Sequence, residues 1–178
     1  MSDYAVVTAI GEDRPGLVAA VSSFILECGC NIEDSRMAIL GGEFAMLILL
    51  SGEPAAVRRV REGSDSAGSR MGLTVHARPT RGALEGAPAR SLPYQLAAYS
   101  MDHPGIVQNV AHYLAEHGIN IRALDTRVRA APHTGQPLFS LEALVDIPSS
   151  ANVSEIRRGL NAIGAEQNID LELKPAGR

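Results

Sequence analysis

The sequence predicts two α+β domains in tandem, each an antiparallel four-stranded sheet with two helices on one face. Three observations carry this prediction. The first is an internal repeat: Asp13-Arg14-Pro15-Gly16-Leu17 returns as Asp102-His103-Pro104-Gly105-Ile106. At the same offset of 89 residues, Val18, Val21, Glu27, Gly29, Asn31 and Ile32 also fall on identical residues. A period this long matches one small domain rather than a solenoid unit. The second is the hydrophobic pattern, which spells βαββαβ in each copy. The third is the stretch 79–93, which holds Gly82, Gly86, Pro88 and Pro93 but few bulky apolar side chains, and so reads as a linker. The expected limits are 1–78 for the first domain and 94–178 for the second.

In the first copy, Tyr4 to Ile10 is short, rich in β-formers and bounded by Gly11, which predicts a buried strand. A helix is expected from about 14 to 29. Asp13 is placed to cap it, Pro15 suits its first turn, and Leu17, Val21, Phe24, Ile25 and Cys28 recur at helical spacing until Gly29. Ile32 to Leu40 and Glu43 to Leu50 flank Gly41-Gly42, a pair that tolerates the positive φ of a tight hairpin. From Pro54, the positions Val57, Val60, Ala67 and Met71 share one helical face, although Gly63, Ser64, Gly68 and Ser69 weaken that helix. Leu73, Val75 and Ala77 alternate as the fourth strand.

The second copy repeats the order. Tyr94 to Ser100 is its first strand, and Ile106, Val110, Tyr113 and Leu114 face inward on a helix closed at Gly118, with His117 half-buried. Ile121 to Arg129 and Phe139 to Val145 are joined by the longer hairpin 130–137. Asn152 with Glu155 makes a capping-box pattern before Val153, Ile156, Leu160 and Ile163, and Ile169, Leu171 and Leu173 close the sheet. A right-handed crossover leaves a gap between the first two strands that the third fills, giving the order 4-1-3-2. This is a ferredoxin-like unit, whose outer strands offer edges for pairing with another copy.

Composition narrows the function. The formal net charge of −4 gives no general attraction for nucleic acid or an anionic membrane. Aromatic content of 4% leaves little to stack on RNA bases. No apolar run approaches the roughly 20 residues of a spanning helix, and Met1-Ser2-Asp3-Tyr4 lacks the basic start of a signal peptide, so a cytoplasmic protein is expected. Cys28 and Cys30 are expected to be reduced thiols beside a core. They lie at the wrong end of the first helix for a metal chaperone of this fold. His112, Glu116 and His117 miss zinc-helix spacing by one residue. No phosphate loop, nucleophile elbow or catalytic Ser/His/Asp spacing occurs, so neither catalysis, metal nor cofactor is expected. Arg58, Arg59 and Arg61 read as a solvated helix face, and Arg127 and Arg129 as charge guarding an edge strand.

The loop pairs Asp-Arg-Pro-Gly-Leu with Gly-Cys-Asn-Ile, and then Asp-His-Pro-Gly-Ile with Gly-Ile-Asn-Ile. On these motifs, over Tyr4 to His76 and Tyr94 to Leu173, the sequence resembles the ACT domain family, small-molecule sensing modules of amino-acid metabolism. The resemblance implies ligand contacts from Asp13, Arg14, Pro15, Gly16, Leu17, Asn31 and Ile32, and from Asp102, His103, Pro104, Gly105, Ile106, Asn120 and Ile121. The tandem members that the first copy resembles further imply a regulator of transcription. It would have no DNA-binding domain and would hold a transcription activator, with glycine as the signal.

The residue chemistry independently fits a free amino acid. A helix start offers N–H groups to a carboxylate, an ionised Asp13 offers acceptors to an ammonium, and Asn31 offers both kinds of atom. The expected pose sets the ammonium at Asp13 and the carboxylate at the Gly16 and Leu17 amides, with Asn31 bridging the two. Each residue also has a plainer role: Asp13 as a cap, Gly16 for close packing, Asn31 in a turn. A homodimer, or side-by-side pairing of the two copies through their sheet edges, is expected. The alternative is a structural module that pairs by those edges and binds nothing small.

Overall fold

The computed structural model describes residues 2–82, 91–132 and 134–177. The chain forms two compact units, Met1–Ala87 and Pro88–Arg178. Unit 1 runs β1 (Asp3–Glu12), α1 (Leu17–Glu27), β2 (Cys30–Leu40), β3 (Glu43–Gly52), α2 (Pro54–Met71) and β4 (Thr74–Thr80). Unit 2 repeats this with β5 (Ser91–Met101), α3 (Ile106–Glu116), β6 (Asn120–Ala130), β7 (Pro137–Pro148), α4 (Val153–Gln167) and β8 (Asp170–Pro175). The sheets are ordered β2-β3-β1-β4 and β6-β7-β5-β8, with every pairing antiparallel. This is the expected 4-1-3-2 ferredoxin-like arrangement.

Alternation along the strands puts one face of each sheet under the helices. In unit 1, Ala5, Val7 and Ala9 of β1 and Phe44, Met46, Ile48 and Leu50 of β3 are buried beneath Leu17, Val21 and Ile25 of α1 and Ala56, Val57 and Val60 of α2. The stripe 17, 21, 25 is the narrow apolar face a helix needs to lie on a sheet. In unit 2, Leu96, Ala98, Leu141, Val145 and Ile147 play the sheet's part under Ile106, Val110, Leu114, Ile156 and Leu160. Each core is one layer thick.

The structure corrects several expectations. Helix α1 begins at Leu17, not near 14, because its N-cap is Gly16 at φ +94°, with no side-chain cap. Asp13 therefore does not cap the helix, and Pro15 precedes it. α2 is one continuous helix of 18 residues despite its glycines and serines. One of them, Gly68, lies against the backbone of Leu73 and Val75, where a side chain would not fit. Pro79 and Thr80 extend β4, and Ser91 to Pro93 belong to β5, so both ends of the expected linker are strand. Of the rest, Arg81 and Gly82 are outside any strand, and 83–90 lies outside the described residues, as does His133 of the longer hairpin. His117 is exposed, not half-buried, with its ring 4.1 Å from that of Tyr113. Asn152 caps α4 by accepting from the Ser154 amide at 3.1 Å, one residue earlier than a capping box requires. Among the described residues, no helix is long and apolar enough to cross a membrane.

Candidate functional site

The loop after β1 is fixed from two sides. The Asp13 amide donates to the Gly42 carbonyl (2.9 Å), which ties it to the β2–β3 hairpin. The Arg14 guanidinium donates to the Met71 carbonyl (2.6 Å), which ties it to the last turn of α2. Unit 2 repeats both contacts: the Asp102 amide bonds the Pro137 carbonyl (3.0 Å), and His103 Nε2 meets the Gln167 carbonyl (3.2 Å). Arg14 and His103, which look like the main difference between the copies, thus do one job with different chemistry.

Gly16 and Gly105 sit at φ +94° and +98°. A Cβ on Gly16 would meet nothing within 4 Å, so its left-handed backbone, not close packing, demands glycine there. The first amides of α1, which follow this turn, have no partner inside the helix. They carry the positive end of the helix dipole and suit an anion. The Asp13 carboxylate makes no hydrogen bond among the described residues.

Asn31 is not beside this loop. It pairs with Ser51 on β3, and Ser51 pairs with Tyr4 at the start of β1. Asp13 lies nine positions further along the chain from Tyr4, and at about 3.3 Å per residue the two groups are separated by roughly 30 Å. Unit 2 has the same layout, since Asn120 pairs with Asp146 and Asp146 with Pro93. The pose in which Asn31 bridges a ligand held at Asp13 and Gly16 of the same copy is therefore excluded by topology. The helix carries the chain back along the sheet, so its two flanking motifs occupy opposite ends.

At the Asn31 end the structure shows residues that the motif reading missed. The β2–β3 register slips between Ile32 and Asp34, leaving Glu33 as an extra residue in a β-bulge. Its carboxylate accepts from Asn31 Nδ2 (3.2 Å) and from the Ser51 hydroxyl. The Ser51 hydrogen bond, then that of Asn31, holds the Glu33 carboxyl below the usual range. Unit 2 slips at the equivalent place, leaving Arg122, which forms a two-pronged pair with Asp146: Nε donates to Oδ2 at 3.2 Å and the second nitrogen to Oδ1. The Asp146 side chain is only 5% exposed. The two copies thus present opposite charge beside an identical Asn-Ile. The offset of 89 aligns Glu33 with Arg122 and was the available signal; the bulge that turns both toward the asparagine end leaves no mark in the sequence.

The cysteines are not part of either group. Cys28 is half-buried and Cys30 buried. Burial, the largest effect, pushes both thiols up, with Arg59 opposing it at each and Cys28 adding to it at Cys30.

The ACT domain family profile matches residues 3–78. Over 165 residues, 93% of this chain and 86% of the other, the sequence is 30% identical to the glycine cleavage system transcriptional repressor of Escherichia coli K12. The chain belongs to this ACT-domain family. A UPF0237 protein of Methanopyrus kandleri is 45% identical over 73 residues, covering 40% of this chain and 81% of that one. Among solved structures, a protein of Galdieria sulphuraria superposes over 99% of this chain and 100% of its own, with a TM-score of 0.86 and 29% identity. A second crystal structure, provisionally named a glycine cleavage system transcriptional repressor, shares the tandem ACT fold at a TM-score of 0.72 and 23% identity. It covers 100% of this chain and 99% of its own.

Proposed function

We propose that the chain is a non-enzymatic, amino-acid-sensing regulator of the glycine cleavage type. In this reading it acts on transcription by holding an activator protein rather than by binding DNA. The observation that carries it is chemical complementarity between the two ends of the ACT unit. The helix start at Gly16 suits a carboxylate, and the Glu33–Asn31 group at the other end suits an ammonium. One copy cannot offer both to one small zwitterion. Antiparallel edge-to-edge pairing of unit 1 with the same unit of a second chain sets the helix start of one beside the asparagine end of the other, so the site is completed only in a homodimer. Asn31 and Glu33 take the ammonium, and the Gly16 turn of the second chain takes the carboxylate. Asp13 and Asp102 then shape the loop.

Calorimetric titration with glycine and a panel of free amino acids tests this directly. No heat and no thermal shift at millimolar ligand would sink it, since a ligand bound to the native state must raise its midpoint in a concentration-dependent way. Glu33→Gln is expected to weaken binding about tenfold, near the lower end for one charge-assisted hydrogen bond. In the native protein, affinity should be held until the pH falls below the ordinary glutamate range and then drop as Glu33 takes up a proton. The glutamine variant should lack that fall. Asp13→Ala is expected to change stability by less than about 0.5 kcal/mol, as for a surface side chain with no bonded partner. A loss near the 1 kcal/mol typical of a helix cap would restore the capping role. The second reading, a pairing module without a small ligand, is favoured by the apolar side chains Met37, Ile39 and Leu40 exposed along β2.

A further inference from the structure

We infer that unit 1 carries a second, separate site, for a small phosphorylated metabolite, in a cleft on the β1–β4 side of the sheet. The cleft has a volume of about 440 Å³, within the range of small-molecule pockets and more than a phosphate ion needs. Its cationic wall is Arg58 and Arg61 of α2 with Arg81 just beyond β4. Arg58 and Arg61 are three apart and so share one helix face. Asp3 and Tyr4 at the start of β1 line it too, and the pairing of Tyr4 with Thr80 sets Asp3 beside Arg81 at the end of the two strands. The chain closes over the ring of Tyr4 at Gly82, where a Cβ would stand 2.9 Å from the ring.

The internal repeat supplies a comparison. On α4 of unit 2 the arginines are engaged: Arg157 Nε donates to the Leu173 carbonyl (3.2 Å), and Arg158 reaches Glu155 (3.8 Å). On α2, Arg59 is likewise used, donating to the Cys28 carbonyl (2.7 Å). Arg58, Arg61 and Arg81 have no hydrogen-bonded or ionic partner among the described residues, and all three line the one cleft. Three guanidinium groups around a single concavity outnumber its one carboxylate, Asp3, and the surplus positive charge is stabilised by an anion between them. Planar forks of this kind match phosphate oxygens two at a time. Asp3 and the Tyr4 hydroxyl provide an acceptor and a donor for hydroxyl groups on the remainder of the molecule. The amino-acid site plays no part in this argument, since Asn31 and Glu33 belong to the edge strand β2.

Titration of the full chain with ribose 5-phosphate, inorganic phosphate and ribose tests the inference. Ribose 5-phosphate is expected to bind most tightly, phosphate more weakly, and ribose not at all, with affinity falling as salt rises. The double variant Arg58→Ala/Arg61→Ala should lose at least tenfold in affinity, and Arg81→Ala several-fold. The lysine pair Arg58→Lys/Arg61→Lys should fail to restore it, because an ammonium lacks the fork. Arg59→Ala should bind like the native chain. These side chains are exposed, and circular dichroism verifies that the variants fold. No binding of ribose 5-phosphate at millimolar concentration, or equal binding by the native chain and the alanine pair, overturns the site. Equal affinity for phosphate and ribose 5-phosphate overturns the metabolite assignment.

Discussion

Gly164→Ala and Gly68→Ala are each expected to destabilise their unit by about 2 kcal/mol, against the usual gain of alanine over glycine in a helix. In both helices the glycine lies one turn before the end, where the chain doubles back into the last strand. Gly164 accepts from the Ile169 amide, and Gly68 from that of Leu73, both at 2.9 Å. A Cβ would stand 2.5 Å from the Ile169 carbonyl oxygen at the first site and 2.6 Å from that of Leu73 at the second. Backbone on one side and a packed sheet on the other leave no rotamer to relieve the contact, so the helix itself must move. Gly63→Ala is the control on α2. Its Cβ would meet only the ring of Phe24, at 3.3 Å, which a small ring displacement accommodates, and a change within about 0.5 kcal/mol either way is expected. Urea denaturation of the three variants decides the matter. If Gly68→Ala matches Gly63→Ala, the close approach of α2 to β4 carries no energetic weight.

Arg122→Met should cost unit 2 about 2 kcal/mol. The substitution removes both hydrogen bonds to Asp146, whose side chain is 5% exposed, and leaves a carboxylate desolvated without a partner. A fully buried pair would lose more, but the Arg122 side chain is 53% exposed, and water can replace part of what it supplies. Adding Asp146→Asn to the methionine variant should recover part of the loss, since an unpaired amide is cheaper to bury than an unpaired charge. Chemical denaturation gives both numbers. A single variant within about 0.5 kcal/mol of the native chain would show that water already serves Asp146.

Much of this architecture is legible in the sequence because it is written in local punctuation. Gly41-Gly42, Asn152 and the apolar runs of β1, β3, β5 and β7 each act over a few residues, and they agree with one another. The start of α1 is less legible. A Pro-Gly pair in a left-handed turn caps it through the backbone, with the Ala20 amide donating to the Gly16 carbonyl, so Asp13 resembles a cap without acting as one. Ligand geometry fails for a topological reason: motifs flanking one helix are close in the chain and far apart in space. Counting strand β1 against helix α1 already shows this. The bulges at Glu33 and Arg122 and the burial of Asp146 depend on pairing register, which no single strand encodes.

The same bulge sets a boundary on how far the sheet can grow. β2 and β6 are the long edge strands, and an incoming strand needs an unbroken run of outward N–H and C=O groups. In β2 that run is interrupted at Glu33, where the extra residue bends the strand and increases its twist. Only Asp34 to Leu40 remains as a regular template, about seven residues carrying the exposed Met37, Ile39 and Leu40. In β6 the break at Arg122 leaves Ala123 to Ala130, studded with Asp125, Arg127 and Arg129. An edge cut short in this way admits one partner strand of matching length and fixed register, and resists the open-ended stacking that a flat, uninterrupted apolar edge of eleven residues would invite.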